Sequence, residues 1–454
     1  MASETLQTLL PPPPAEEAPT TTVAALTDDT LRNILHRLAP ADLLRAALVC
    51  HRWRRAAARC VMAAPPPLLG YFFHPADTPL TAHIVAPIAA LHPAAFVPLD
   101  SSSPSSPRLS LDGTKGFTIY DVHLGLVLLL PASLPSGVLP RILVLDPASR
   151  RRALLPQPPR DALPGDRWRG LRHIIGAAVL SRSHPSRLCF DAVCLTVDDE
   201  NPRAWVASYR DGECSWRALP QDTGVTVAFD PFWFEGRCVH AAGDIYWHIC
   251  NSGRLLKLDP TTLSFSYLLA PSELGDRNKK FRIGEAPEDG RLGMAAMEDH
   301  EMQFWVRGEA SGSDNGWFLQ KRMNMRKVFD TVPGLPRDKL SRTVSIWLSD
   351  IDAGRTGKLF FETEGYGRYS FHMDTGKLER LATEDGKEYG HPIYAYFMAW
   401  PPAFLAPEKS EFPVNAKTFT DLIIFAYAEL LDQCLSGLLL YVVCCLSVTY
   451  LHVH

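Results

Sequence analysis

Gly354-Arg-Thr-Gly-Lys358 contains the glycines and the lysine of a phosphate-binding loop, but not in its order. The first glycine is wrongly spaced, and Leu359 follows the lysine where a Ser or Thr would hold the metal. The segment also lies between two strand-like stretches, where a glycine-rich hairpin turn is expected. His300-Glu301 begins as a zinc-protease helix does, yet Phe304 stands where the second histidine must be. No Gly-x-Ser-x-Gly elbow occurs to anchor a hydrolase triad. His240 and His248 fall on one expected strand, eight residues apart and so on the same face, where local hydrogen bonding is the expectation. Neither a catalytic residue nor a metal or cofactor site is expected, because no cluster of carboxylates or ligands is recognisable.

Composition narrows the alternatives. A chain of 454 residues can hold two or three domains. A net charge of −4 argues against a dedicated nucleic-acid binder. The ten cysteines show no Cys-x-x-Cys and no paired Cys/His zinc spacing, and no Asn-x-Ser/Thr acceptor is present. Reduced thiols in the cytosol or nucleus are the expectation. Residues 1–24, with Pro11 to Pro14 followed by Glu16 and Glu17, read as a flexible lead and not as a signal peptide.

Residues 25–62 form a short helical unit of three expected helices. Thr27 is a good N-cap, Asp28 and Asp29 complement the dipole of the first turn, and Pro40 lies past the helix end. Leu26 and Leu31 occupy the positions of a hydrophobic staple. Leu31, Ile34, Leu35 and Leu38 make one apolar stripe, Leu43, Leu44, Ala47 and Leu48 a second, and Val49, Cys50, Trp53 and Ala57 a third. So small a unit cannot bury that much apolar surface by itself, which points to docking on a partner.

These residues resemble the F-box. The order Leu26, Asp28, Asp29, Leu31, Ile34, Leu35, Arg37, Leu38, Pro40, Leu43, Leu44, Val49, Cys50, Trp53 and Arg54 follows that motif, while Thr27 and Ala39 replace two of its prolines. The resemblance implies binding to a Skp1-type adaptor, and through it to cullin and RING subunits, with Leu26, Leu31, Ile34, Leu35, Leu38, Pro40, Leu43, Leu44, Val49, Cys50 and Trp53 at the contact or supporting it. Arg32, Arg37, Arg45, Arg52, Arg54, Arg55 and Arg59 outnumber Asp28, Asp29 and Asp42, so the unit is basic. Such charge would speed encounter with an acidic partner or would simply form a solvated face.

Residues 68–405 read as β-strands, and they repeat. Arg141-Ile-Leu-Val-Leu-Asp-Pro matches Arg254-Leu-Leu-Lys-Leu-Asp-Pro, and more loosely Tyr369-Ser-Phe-His-Met-Asp374, with the aspartate opening a turn each time. A strand precedes each: Val122 to Leu130, Val239 to Cys250 and Lys358 to Glu364. Related units around Trp205 to Trp216 and Met302 to Leu319 fall between, so the repeat is about 50–60 residues, the length of a kelch-like blade. The fold class is therefore α+β multidomain, a three-helix unit followed by an all-β propeller of six blades, or seven if Tyr71 to Leu99 and Ile393 to Leu405 do not share one. A pair of β-sandwiches is the structural alternative. Val239-His-Ala-Ala-Gly-Asp-Ile-Tyr-Trp247 and Met398-Ala-Trp-Pro-Pro-Ala-Phe-Leu405 resemble the F-box-associated propeller domains of plants. Trp205, Trp216, Trp247, Trp305 and Trp347 are expected in blade packing. Phe232, Trp233 and Phe234 are expected in the core or, alternatively, on a surface that recognises a target protein.

After a linker at 406–421, residues 422–454 turn apolar, and no charged side chain follows Asp432. Gln433 to Val453 is just long enough to span a bilayer as a cytosol-facing tail anchor, or would be a buried terminal helix. The combined expectation is a substrate-receptor subunit of a ubiquitin ligase that makes no bonds itself. The alternatives are a propeller enzyme with a helical appendage and a membrane-tethered F-box scaffold.

Overall fold

The structure, a computed structural model, describes residues 26–35, 37–38, 42, 46, 49, 52–53, 56–57, 66, 68–75, 92–99, 109–134, 138–159, 172–184, 187–210, 212–227, 236–248, 253–274, 281–298, 300–308, 316–332, 346–352, 355–363, 366–383, 389–390 and 392–397. The chain divides into two units, one holding residues 1–65 and the other the strands from 66 onward.

In the first unit, helix α1 spans Asp28–Leu35. Thr27 caps it as expected: its Oγ1 accepts from Thr30 N at 3.2 Å, and its carbonyl accepts from Leu31 N at 2.9 Å. Arg37 N and Leu38 N close the helix with bonds to Ile34 O and Leu35 O, both 3.1 Å, tightening the last turn. Among the described residues α1 is the one continuous helix of this unit. The expected second and third helices are not shown.

The second unit is a six-bladed propeller. Its strands are β1 (Leu68–Phe73), β2 (Ala95–Pro98), β3 (Phe117–His123), β4 (Leu126–Pro131), β5 (Ile142–Asp146), β6 (Arg151–Leu155), β7 (Arg172–His184), β8 (Cys189–Asp198), β9 (Asn201–Arg210) and β10 (Glu213–Ala218). They continue as β11 (Cys238–Ala241), β12 (Asp244–Trp247), β13 (Arg254–Leu258), β14 (Phe265–Leu269), β15 (Phe281–Glu285), β16 (Leu292–Glu298), β17 (Glu301–Arg307), β18 (Trp317–Asn324), β19 (Ile346–Ile351), β20 (Lys358–Thr363), β21 (Gly367–His372), β22 (Leu378–Leu381) and β23 (Tyr394–Phe397). A short helix α2, Met325–Phe329, follows β18. Each run of four from β3 to β22 is one antiparallel sheet, and the sixth sheet is β2-β1-β23. Tyr71 pairs with Ala395 and Phe72 with Tyr394, so the two ends of the strand region share one blade, which settles the count at six.

Why the strands bury both faces is visible in β4. Leu126, Leu128 and Leu130 pack toward the β7–β10 blade, while Val127 and Leu129 pack toward the closing blade. With a side-chain period of two, a continuous apolar run serves two neighbours. Six such interface cores follow one another around the ring, from Phe190 and Trp205 to Trp247, Trp305, Phe361, Phe73 and Phe72. Each large side chain fully buried contributes about 1.5–3 kcal/mol.

Two turn types set the blades. The segments expected as single strands, Val122 to Leu130 and Val239 to Cys250, are each broken by a two-residue turn, Leu124-Gly125 and Ala242-Gly243, with both residues at positive φ. The expected repeat turns join the third and fourth strands of alternate blades. Asp146 Oδ1 accepts from Ser149 N, and Asp259 Oδ1 from Thr261 N. In the third copy the equivalent residue is His372 and not Asp374. His372 pairs with Lys377 as Asp146 does with Arg151, and its Nδ1 accepts from Asp374 N and Thr375 N. With this register the spacing is 113 residues from Asp146 to Asp259 and again 113 to His372, two blades each time.

Candidate functional site

On α1, Leu31 and Leu35 are 1% and 0% exposed, whereas Ile34 is 40% exposed on the same helix. Val49 is 61% exposed, and Leu26, Leu38 and Trp53 are half-buried. The Arg52 guanidinium donates to Leu26 O, tying the start of the unit to its third stripe. The residues expected to touch a partner thus divide: Leu31 and Leu35 form local core, and Ile34 and Val49 offer apolar surface. Pro40, Leu43, Leu44 and Cys50 lie outside the described residues.

The first strands of the blades line the propeller axis, with β23, β3, β7, β11 and β15 adjacent in that order and β19 beside β15. In β3 the register slips between Ile119 and Asp121, and in β19 between Leu348 and Asp350. Each bulge inserts one extra residue just before an aspartate and re-aims the side chains beyond it. Polar groups then alternate with apolar ones: Asp121-Val122-His123, Cys238-Val239-His240 and Asp350-Ile351-Asp352.

Three blades meet at Asp121. Its Oδ2 accepts from Val179 N of β7 at 2.7 Å and lies 3.0 Å from His240 Nε2 of β11. The His240 ring stacks on His123, with centroids 3.6 Å apart and planes 4° from parallel. Cys238 Sγ is 3.8 Å from His240 Nε2 and 3.8 Å from Ala177 O, to which its thiol can donate. Burial opposes ionisation of Asp121, but attraction to His240, its hydrogen bond and the Val179 N–H outweigh it and hold the carboxyl below the usual range. Burial, reinforced by His240, lowers His123 to about 3, so its ring is neutral at pH 7. Burial, with Asp121 adding to it, pushes the Cys238 thiol well up. Asp121, Cys238 and His240 place their ligand atoms within 4.8 Å of one another, a spacing that could hold a metal ion.

A second group braces the other blades. The Arg237 guanidinium pairs with Asp350, whose Oδ2 also accepts from Ile393 N at 3.2 Å. Tyr71 donates to Asp352 Oδ2 at 3.1 Å, and Arg282 Nε to Ser349 O at 2.7 Å. Arg237 neutralises Asp350, so this group reads as a brace between strands and not as a ligand site.

His240 and His248 do not share a strand: the Ala242-Gly243 turn separates them, and His248 follows β12 and stacks on Phe281 at 4.0 Å. Nor is the His240 contact local, since its partner Asp121 lies 119 residues away. The structure thus gathers three possible ligand side chains, Asp121, Cys238 and His240, where the sequence showed no recognisable cluster. The cue was the polar-apolar-polar pattern in the first strands β3, β11 and β19, which carries little meaning until the blades converge. Gly357, at positive φ, precedes β20, and Lys358 opens that strand, while Gly354 lies outside the described residues. Trp205, Trp247 and Trp305 are blade core. Phe232, Trp233 and Phe234, and the apolar tail from Gln433 to Val453, lie outside the described residues. Among the described residues no helix is long and apolar enough to cross a membrane.

A capped helix with exposed apolar side chains, followed by a six-bladed ring, defines a chain with a docking segment and a propeller. Residues 28–61 match the F-box-like family, and residues 134–404 match the family described as F-box protein AT5G49610-like, beta-propeller. The second match spans more than half of the chain, so the protein belongs to that F-box propeller family. No curated protein matches it. Among solved structures it is similar to a nidogen/laminin complex chain, at 12% identity and a TM-score of 0.33, over 73% of this chain and 99% of that one. A Lactobacillus plantarum protein gives 10% identity and 0.31, over 72% and 99%. A putative 6-phosphogluconolactonase from Bacteroides uniformis gives 12% and 0.31, over 72% and 99%. Likeness of that degree carries no functional argument.

Proposed function

We propose that this chain is the substrate-receptor subunit of an SCF-type ubiquitin ligase. The observation that carries the reading is the union, in one chain, of an F-box-like segment at 28–61 and a propeller. The segment would seat on a Skp1-type adaptor and so reach cullin and RING subunits, while the propeller would hold a target protein in the cytosol or nucleus. The mechanism is proximity: a tethered acceptor lysine meets the conjugating enzyme at raised effective concentration. The chain itself would make no bond.

The division of α1 into core and surface sets the test. Ile34→Asp with Val49→Asp places charge on exposed positions and should leave the fold intact. Co-purification with Skp1 should fall at least tenfold for this pair, the loss of about 1.4 kcal/mol or more. Leu31→Asp with Leu35→Asp would also abolish capture, but through the buried face of α1. Equal recovery of the Ile34/Val49 variant and wild type would remove the docking surface assigned to those two side chains.

A further inference from the structure

We infer that Asp121, Cys238 and His240 form a divalent-cation site of the zinc type inside the propeller, with three protein ligands and a fourth position left to water. The separations fit. With metal–ligand lengths of about 2.0–2.1 Å to nitrogen or oxygen and 2.3 Å to sulfur, a tetrahedral centre places its nitrogen and oxygen about 3.3 Å apart and its nitrogen and sulfur about 3.6 Å apart. The observed separations are 3.0 Å from His240 Nε2 to Asp121 Oδ2 and 3.8 Å from His240 Nε2 to Cys238 Sγ. These two separations lie within a few tenths of an ångström of that geometry, and all three donor atoms lie within 4.8 Å of one another.

Charge points the same way. A carboxylate, a thiolate and a neutral imidazole sum to −2, which neutralises a divalent ion where both Asp121 and Cys238 are buried. On binding, the ion displaces the proton of the Cys238 thiol to solvent, while the His240 ring proton moves from Nε2 to Nδ1 and frees Nε2 as a ligand, so the donor set ends at −2. The Val179 N–H already bonds the carboxylate oxygen, as a supporting partner orients a metal-bound carboxylate. His123 cannot be the fourth ligand where it stands. A metal bound to His240 lies in the plane of that ring, and the His123 plane runs parallel, 3.6 Å away. The three donors come from two blades, β3 and β11, so the ion would also clamp the ring across β7.

Cobalt(II) tests the site, since a thiolate-bound cobalt ion shows a charge-transfer band that carboxylate and imidazole ligands alone do not give. The folded full-length protein, stripped with chelator, should take up one cobalt equivalent with that band, and zinc should displace it. Cys238→Ser should lose the band and at least tenfold in affinity, while Cys214→Ser, at a half-buried position on β10, should keep both. His240→Gln provides a second variant should Cys238→Ser fail to fold, and it should weaken uptake similarly. Skp1 capture should be unchanged in both, which separates this result from the docking proposal. Absence of cobalt uptake by folded wild type, or the same band in Cys238→Ser, overturns the site.

Discussion

Asp198 is almost fully buried, yet it is surrounded by charge. Its carboxylate takes Arg172 through two bonds of 3.0 and 3.2 Å and lies 3.7 Å from Arg203. Both guanidiniums lie over the Trp205 ring, at 4.8 and 4.3 Å, and the Trp205 indole donates to Thr196. Removing the carboxylate takes a shared counter-charge from two buried cations, a loss of about 3–5 kcal/mol. Asp198→Ala should therefore lower the urea midpoint of the propeller sharply, and a midpoint within experimental error of wild type would contradict that charge balance. His123 contributes a defined share of the pH dependence. Its pKa falls from 6.5 in the unfolded chain to about 3 in the fold, so between those values the unfolded state binds the extra proton. The stability this histidine supports is complete above pH 6.5 and drains as pH falls toward 3, with a slope up to about 1.4 kcal/mol per pH unit. Denaturation curves at pH 7, 5.5 and 4.5 should show a shallower decline for His123→Gln than for wild type.

Gly176 shows how tightly one strand meets its neighbouring blade. It sits in β7 beside a register shift, and a Cβ placed there would lie 2.3 Å from the Trp247 indole nitrogen. Trp247 is fully buried and cannot swing aside as a surface chain would. Gly176→Ala should cost about 1–3 kcal/mol through overpacking, read as a lower thermal midpoint. The β3 and β19 bulges are likewise element-level devices, each delivering an aspartate to the axis. No local rule marks Ile119-Tyr-Asp121 or Leu348-Ser-Asp350 as bulged, because pairing with the second strand decides where the extra residue goes. The turn repeat shows the same limit. Asp146 and Asp259 were legible as turn residues, but the third copy, by type alone, pointed to Asp374, and only strand pairing showed His372 in that role.

The ring is closed by β23 pairing with β1. Tyr396 packs edge-on against Phe72 with centroids 5.2 Å apart, Tyr394 donates to Ile119 O at 2.6 Å, and Ile393 N reaches Asp350. Closure therefore joins the last strand to three other inner or second strands at once. A chain ending before Tyr394 should lose the single cooperative unfolding transition, since two interface cores would be opened together. Hydrogen exchange should then show some blades losing protection before others, and an unchanged transition would show that closure contributes little.

Local chemistry in the chain determined the capped first helix, the F-box order of its residues, the β-rich repeat with its period of two blades, and the failure of each catalytic motif. These are properties of neighbouring residues, where caps, turns and periodicity act over a few positions. The six-blade count, the split of Leu31 and Leu35 from Ile34 and Val49, and the meeting of Asp121 with His240 were decided only by tertiary structure. Each depends on which distant strands pair and which faces they cover. Side chains more than a hundred residues apart become neighbours only when the ring closes around them.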